Sequence, residues 1–80
     1  MGQPKERKSK MAQFKRTVRC LADYVEDSEL YWTKGQTYGA CKHHNGNWSI
    51  ETNLGTIGAV GPGFMLDDFD EYFVEVEKGA

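Results

Sequence analysis

Short runs of alternating apolar and polar residues, separated by turn residues, make up the chain from position 14 onward. Alternation with a period of two is the pattern of a strand that is buried on one face only. No segment sustains the 3.6-residue period of a long helix, so the pattern predicts an all-β domain. The predicted faces consist of Phe14, Val18 and Cys20 in the run at 14–21, and of Trp48, Ile50 and Thr52 in the run at 48–53.

Turn residues divide this part of the chain into five predicted strands, which lie near 14–21, 37–43, 48–53, 54–61 and 72–77. "VEDSE" predicts an acidic loop, "LYWT" a short extended piece and "KGQ" a tight turn, while Asn45-Gly46 between two alternating runs is a strong hairpin signal. Five short strands in about sixty residues, with turn signals every ~8–12 positions, favour a small barrel that hides its edges by closure.

One segment departs from the strand pattern. In "PGFMLDDFDEYF" the apolar residues Met65, Phe69 and Phe73 are spaced by four, which predicts a helical turn that packs one side on the core. The following strand should place Tyr72, Val74 and Val76 on one face.

The charge is divided sharply along the chain. Residues 1–19 hold seven Lys or Arg against one acid, a balance of +6, whereas residues 20–80 hold three Lys against eleven acids, a balance of −8. We therefore expect a flexible basic tail at 1–13 and a folded domain at 14–78. No run reaches the ~18 apolar residues of a membrane span and no secretory signal is visible, so a cytoplasmic protein with reduced cysteines is expected.

Four segments together resemble SH3 domains: "CLADY" at 20–24, "ELYWTKGQ" at 29–36, the tryptophan after a hairpin turn, and "GTIGAVGPGF" at 55–64. The resemblance covers residues 18–76 and implies a small five-stranded SH3-like β-barrel. The overall pattern is also similar to small SH3-like accessory proteins of bacteria and bacteriophages.

The resemblance implies a non-enzymatic protein-interaction module. Such domains hold an extended, proline-rich peptide in an aromatic groove, and acids of a neighbouring loop pair with a basic residue of the ligand. Ala22 stands where the family carries the first groove tyrosine. Carried over to this chain, the partner-binding residues are Tyr24, Glu26, Asp27, Glu29, Trp48, Pro62 and Phe64, with Met65 an alternative to Phe64.

The sequence also contains residues that occur in two other types of site. Cys41 and His43 lie two apart and would share a strand face, with Cys20 a conceivable third zinc ligand, but no closely spaced second pair follows. A Cys–His nucleophile would need a pocket that excludes water. We therefore expect no metal, no cofactor and no enzymatic activity. Trp32 is expected in the core or at its rim, and for Trp48 core and contact roles remain equally open.

Nucleic acid is the alternative partner, because small barrels with basic arms and aromatics can bind it. An acidic body opposes phosphate, since Lys and Arg supply most of the affinity for nucleic acids. The sequence thus favours a basic protein or peptide as the partner, excludes a membrane and leaves the oligomeric state open. The residues of the alternative are Lys5, Arg7, Lys8, Lys10, Lys15 and Arg16.

Overall fold

The computed structural model describes residues 14–76. Seven strands and one short helix follow one another along this part of the chain. In chain order they are β1 (Arg16–Cys20), β2 (Tyr24–Glu26), β3 (Glu29–Trp32), β4 (Thr37–Lys42), β5 (Trp48–Glu51), β6 (Ile57–Val60), α1 (Phe69–Tyr72) and β7 (Phe73–Val76). The predicted basic tail at 1–13 and the last residues of the predicted domain lie outside the described residues.

The strands form two antiparallel sheets. The larger has the order β6-β5-β4-β1-β7, and the smaller is the β2–β3 hairpin. The prediction of an all-β domain is confirmed. Within residues 14–76 the sheets are not closed into one barrel, because β6 and β7 remain the two edges of the larger sheet.

The β2–β3 hairpin replaces the predicted acidic loop. Its two-residue turn consists of Asp27 (φ 54°) and Ser28 (φ 66°). Positive φ at both central residues matches the right-handed twist of a hairpin, and aspartate tolerates this conformation better than most residues. The turn places Glu26 directly opposite Glu29 in the ladder.

Trp32 lies at the centre of the core with no exposed surface, as its position in the sequence favoured. Its indole Nε1 donates to the Glu51 carbonyl at 2.8 Å, which satisfies the polar atom that burial would otherwise leave unpaired. Its ring packs edge-on against Phe73, with the centroids 5.2 Å apart. The other members of the core cluster are Val18, Cys20, Ala40, Trp48, Ile50, Val60 and Leu66.

The helical turn is shorter than the spacing of apolar residues predicts. Asp68 caps α1 by accepting from the Asp70 amide at 3.1 Å, so the helix begins only at Phe69. Met65 therefore precedes the helix and is 38% exposed, whereas Leu66 is buried in its place. The first residue of β7, Phe73, points into the core, which turns Val74 toward solvent.

No helix in the described part of the chain has the length and apolar character needed to cross a membrane.

Candidate functional site

The predicted partner-binding residues fall into two groups. Tyr24, Glu26, Asp27 and Glu29 all belong to the β2–β3 hairpin. Trp48 and Phe64 line a hollow beside the β4–β5 turn. Pro62 is exposed in the segment after β6 and does not line that hollow.

Three half-buried tyrosines meet around the first group, and we call Tyr24, Tyr31 and Tyr72 the tyrosine surface. The ring of Tyr24 lies edge-on to Tyr31 at 6.0 Å and to Tyr72 at 5.9 Å, measured between ring centroids. Its inner side packs on Trp32 at 5.5 Å. Tyr31 and Tyr72 were not among the predicted partner-binding residues, although Tyr31 lies within the predicted extended piece "LYWT" and Tyr72 begins the last predicted strand.

The tyrosine surface adjoins uncompensated negative charge. The Tyr24 hydroxyl donates to a Glu26 carboxylate oxygen at 2.9 Å. Burial of the phenol, reinforced by this hydrogen bond and by the charge of Glu26, raises the pKa of Tyr24 to about 12. Glu29 lies opposite Glu26, and like charges directly opposite each other destabilise a ladder. Among residues 14–76 the only ion pair joins Arg16 to Glu75, so no Lys or Arg neutralises the hairpin acids.

Trp48 is a core residue in this fold. Only 5% of its surface is exposed, and its ring stacks on Phe69 at 4.3 Å with an interplanar angle of 6°. Phe69 in turn stacks on Phe73 at 5.6 Å. Trp48 therefore packs beneath the hollow beside the β4–β5 turn, and its ring does not present an open face to a ligand.

The hollow that Trp48 supports has a volume of about 370 Å³. Phe64 forms an apolar wall that is 50% exposed. The Asn47 side chain is buried, and its Oδ1 has no hydrogen-bond partner in the described residues. We call this feature the histidine hollow, and its lining residues are His43, His44, Asn45, Asn47, Trp48, Ser49, Ala59 and Phe64.

The candidate zinc ligands Cys20, Cys41 and His43 are not arranged as a metal site. His43 Nε2 lies 2.7 Å from Ser49 Oγ, and Ser49 is the ladder partner of Cys41. The Cys20 thiol is buried in the core cluster, where burial raises its pKa, and it donates to the Ala22 carbonyl at 2.9 Å. Within the described residues no three His, Cys, Asp or Glu side chains are placed to hold a metal ion.

The exposed His43–Ser49 pair contains two elements of a nucleophilic site, a hydroxyl and a base within hydrogen-bond reach. Such a site also needs a group that orients the imidazole. No other hydrogen bond to the His43 side chain is present in residues 14–76. The pair is therefore a surface hydrogen bond at the rim of the histidine hollow.

Comparison with known proteins gives no relatives: no family model matches the chain, and neither a curated protein nor a solved structure matches it.

Proposed function

We propose that this chain is a non-enzymatic protein-interaction module that binds a basic protein surface or peptide through the tyrosine surface and the acids of the β2–β3 hairpin. The observation that carries the proposal is a cluster of half-buried tyrosine rings, one of which donates to Glu26, beside hairpin acids that no basic residue of the described chain neutralises. Aromatic rings supply contact area at low entropic cost, and exposed acids select a positively charged partner.

The opposed pair Glu26 and Glu29 supports this choice of partner. Two like charges across a ladder cost free energy in the isolated chain. A Lys or Arg from a partner placed between them would relieve that repulsion while forming two new ion pairs. A basic ligand thus lowers the free energy of the paired acids more than it would lower that of the same acids placed far apart.

We further propose that the fold is SH3-like. The larger sheet places the first strand, β1, between β4 and the last strand, β7, and both sheets contribute to one core around Trp32. The SH3 resemblance also carries a ligand preference, since these domains bind proline-containing peptides in the polyproline II conformation. The tyrosine surface would then be the groove, with Tyr31 and Tyr72 beside Tyr24.

The test uses the full chain and a panel of synthetic peptides that combine proline with several Lys or Arg, with matched panels carrying Glu in place of the basic residues. We expect only the basic panel to bind. The variant E26Q/D27N/E29Q should weaken that binding about tenfold, because exposed ion pairs contribute ~0.5 kcal/mol each. Fluorescence anisotropy of labelled peptides measures the dissociation constants.

The matched control is E51Q/D67N/E75Q, which removes the same charge at positions outside the hairpin. It should change the affinity by less than about threefold, because charges remote from a bound peptide are screened by salt. Asp27→Asn keeps a residue that tolerates positive φ, so the hairpin variant should fold. Equal affinity of the two variants, or no binding by any basic peptide, would contradict the proposal.

A further inference from the structure

The chain has three asparagines, and the fold gives each of them different surroundings: Asn45, Asn47 and Asn53. Asn45 lies at the exposed tip of the β4–β5 turn and is followed by Gly46. An asparagine in this position can react with its own backbone, because glycine has no side chain to shield its peptide nitrogen. The two residues that form the turn therefore also contain an electrophile, the side-chain amide carbon, and a nucleophile, the peptide nitrogen.

The reaction that these two groups can undergo is deamidation. The Gly46 nitrogen loses its proton to solvent and attacks Asn45 Cγ, which forms a C–N bond and closes a five-membered succinimide. The side-chain nitrogen takes a proton from solvent and leaves as ammonia. Water then adds to one succinimide carbonyl and breaks its bond to nitrogen. Opening at one carbonyl gives aspartate, and opening at the other gives isoaspartate, in which the backbone continues through the side-chain carbon.

The turn polarises the carbonyl group that would be attacked. Asn45 Oδ1 accepts from the backbone N–H of Asn47 at 3.0 Å. Attack on Cγ transfers negative charge to this oxygen, and an N–H group already in place stabilises charge that develops there. The same hydrogen bond draws the side chain forward along the backbone, which is the direction in which the Gly46 nitrogen lies.

The attacking nitrogen is accessible in the folded chain. Beyond the neighbouring residues, no heavy atom lies within 4 Å of the position that a Cβ of Gly46 would occupy. The Gly46 N–H donates to the His43 carbonyl at 3.1 Å, and this hydrogen bond must open before the attack. A single backbone hydrogen bond at an exposed turn opens at low free-energy cost, so it delays the reaction only slightly.

The other two asparagines are protected by the fold. Asn53 is exposed, but its side-chain amide is fixed by three hydrogen bonds: Nδ2 donates to the Leu30 carbonyl at 3.2 Å and to Thr33 Oγ1 at 3.0 Å, and Oδ1 accepts from the Tyr38 hydroxyl at 2.9 Å. Asn47 is only 7% exposed. Bulky side chains follow both residues and shield the next peptide nitrogen, namely Leu54 and Trp48. Exposure, side-chain freedom and an unshielded nitrogen thus coincide only at Asn45.

We propose that Asn45 is a self-modification site, at which the folded chain deamidates through a succinimide formed with the Gly46 nitrogen. Asn45 lines the histidine hollow, and no Asp or Glu does so. The reaction therefore introduces a carboxylate into a lining that otherwise consists of imidazole, amide, hydroxyl and apolar groups. Isoaspartate also lengthens the backbone of the turn by one methylene group. The residues of the tyrosine surface take no part in this reaction.

The experiment incubates the full chain at neutral and mildly alkaline pH and follows each asparagine by peptide mapping with high-resolution mass spectrometry. We expect Asn45 to convert at least about tenfold faster than Asn53, because the Asn53 amide must first break three hydrogen bonds. The rate should rise with pH, since the attacking group is the deprotonated nitrogen. Reversed-phase chromatography should separate two products of the Asn45 peptide, one with aspartate and one with isoaspartate.

Matched glycine variants test the role of the unshielded nitrogen. Gly46→Ala places a methyl group beside it and should slow the conversion of Asn45 about tenfold. Gly35→Ala is the control, because Gly35 also has positive φ and open space at its Cβ position; it should leave the rate within about twofold. Circular dichroism checks that each variant is folded.

Three results would overturn the proposal. In the first, Asn45 remains asparagine in the folded chain under conditions in which it converts in the urea-unfolded chain, which would mean that the turn protects it. In the second, Asn47 or Asn53 converts as fast as Asn45 does in the folded chain. In the third, Asn45 converts in Gly46→Ala at the wild-type rate.

Discussion

Tyr24 contacts both the hydrophobic core and the acids of the β2–β3 hairpin. One side of its ring packs on the buried Trp32, and its hydroxyl donates to the exposed carboxylate of Glu26. Deprotonation would place a phenolate in a partly buried position beside a carboxylate. Both effects hold the proton on the phenol, which is why its pKa reaches about 12.

Glu26→Gln is therefore expected to lower the pKa of Tyr24 toward, but not down to, its ordinary value of 10.0. The substitution removes the negative charge, while the burial of the ring remains as the larger cause of the shift. Ultraviolet titration of tyrosinate in the wild-type chain, in Glu26→Gln and in Tyr24→Phe measures this change, with Tyr24→Phe identifying the signal of Tyr24. An unchanged titration in Glu26→Gln would show that the carboxylate has no influence on the phenol.

Trp48 shows how far a single position can be understood from sequence. Its place after the Asn-Gly turn, within an alternating run, correctly predicts a strand with Trp48 and Ile50 on the buried face. The alternation cannot show what covers the ring, because the covering residue, Phe69, lies 21 positions further along the chain. Truncating Trp48 would thus test the fold more than it would test partner binding.

At the level of elements, local signals predicted five of the seven strands, namely β1, β4, β5, β6 and β7. The hairpin between β4 and β5 was predicted because Asn45-Gly46 can adopt positive φ, and Gly46 does so at 92°. The β2–β3 hairpin was missed, since Asp-Ser is a weak turn signal and two facing glutamates disfavour pairing. The prediction of the partner-binding residues included Tyr24 but not Tyr31 for the same reason, because Tyr31 contacts Tyr24 only when these two strands pair.

Strand β6 contains a second feature that depends on tertiary packing. A Cβ at Gly58 would lie 2.7 Å from two atoms of the Trp32 ring, which is closer than carbon atoms can approach. The backbone of β6 therefore packs directly on the central tryptophan, and glycine is needed there for space.

Gly58→Ala should accordingly destabilise the fold by about 2 kcal/mol, through overpacking against a ring that is fully buried on all sides. Gly46→Ala is the matched control, because no atom lies near its Cβ position and only the positive φ opposes the substitution. We expect it to cost about 1 kcal/mol. Urea unfolding measures both values, and a Gly58→Ala variant as stable as the wild type would mean that β6 does not pack on Trp32 in this way.

At the level of the whole molecule, the sequence shows that charge is uneven but not where it lies in space. In the described residues the hairpin acids form no ion pair with Lys or Arg, whereas Arg16 and Lys42 lie near the ring of Trp48. The net balance of the described residues suggests a uniformly acidic body, which would repel phosphate. The charge is nevertheless not uniform, because the register of β1 with β4 brings Arg16 and Lys42 to the ring of Trp48.

The stability of the whole domain should fall in alkaline solution, because two groups hold their protons more tightly in the folded chain. The pKa of the buried Cys20 thiol is raised above 9.0, and that of Tyr24 is raised from 10.0 to about 12. Below pH 9 the folded and unfolded chains both keep these protons, so the free energy of unfolding is unaffected by them. Above pH 9 the unfolded chain releases protons first, and the free energy of unfolding decreases as the pH rises toward 12.

Urea unfolding at a series of pH values measures this dependence, and cysteine and tyrosine variants assign it. Cys20→Ala should remove the part of the decrease that begins near pH 9, and Tyr24→Phe should flatten the curve between pH 10 and 12. Cys41→Ala is the control for the loss of a cysteine side chain, since Cys41 lies outside the core cluster. A curve that stays level up to pH 12 would mean that neither group holds its proton more tightly in the fold, and the packing around Cys20 and the Tyr24–Glu26 hydrogen bond would then both be wrong.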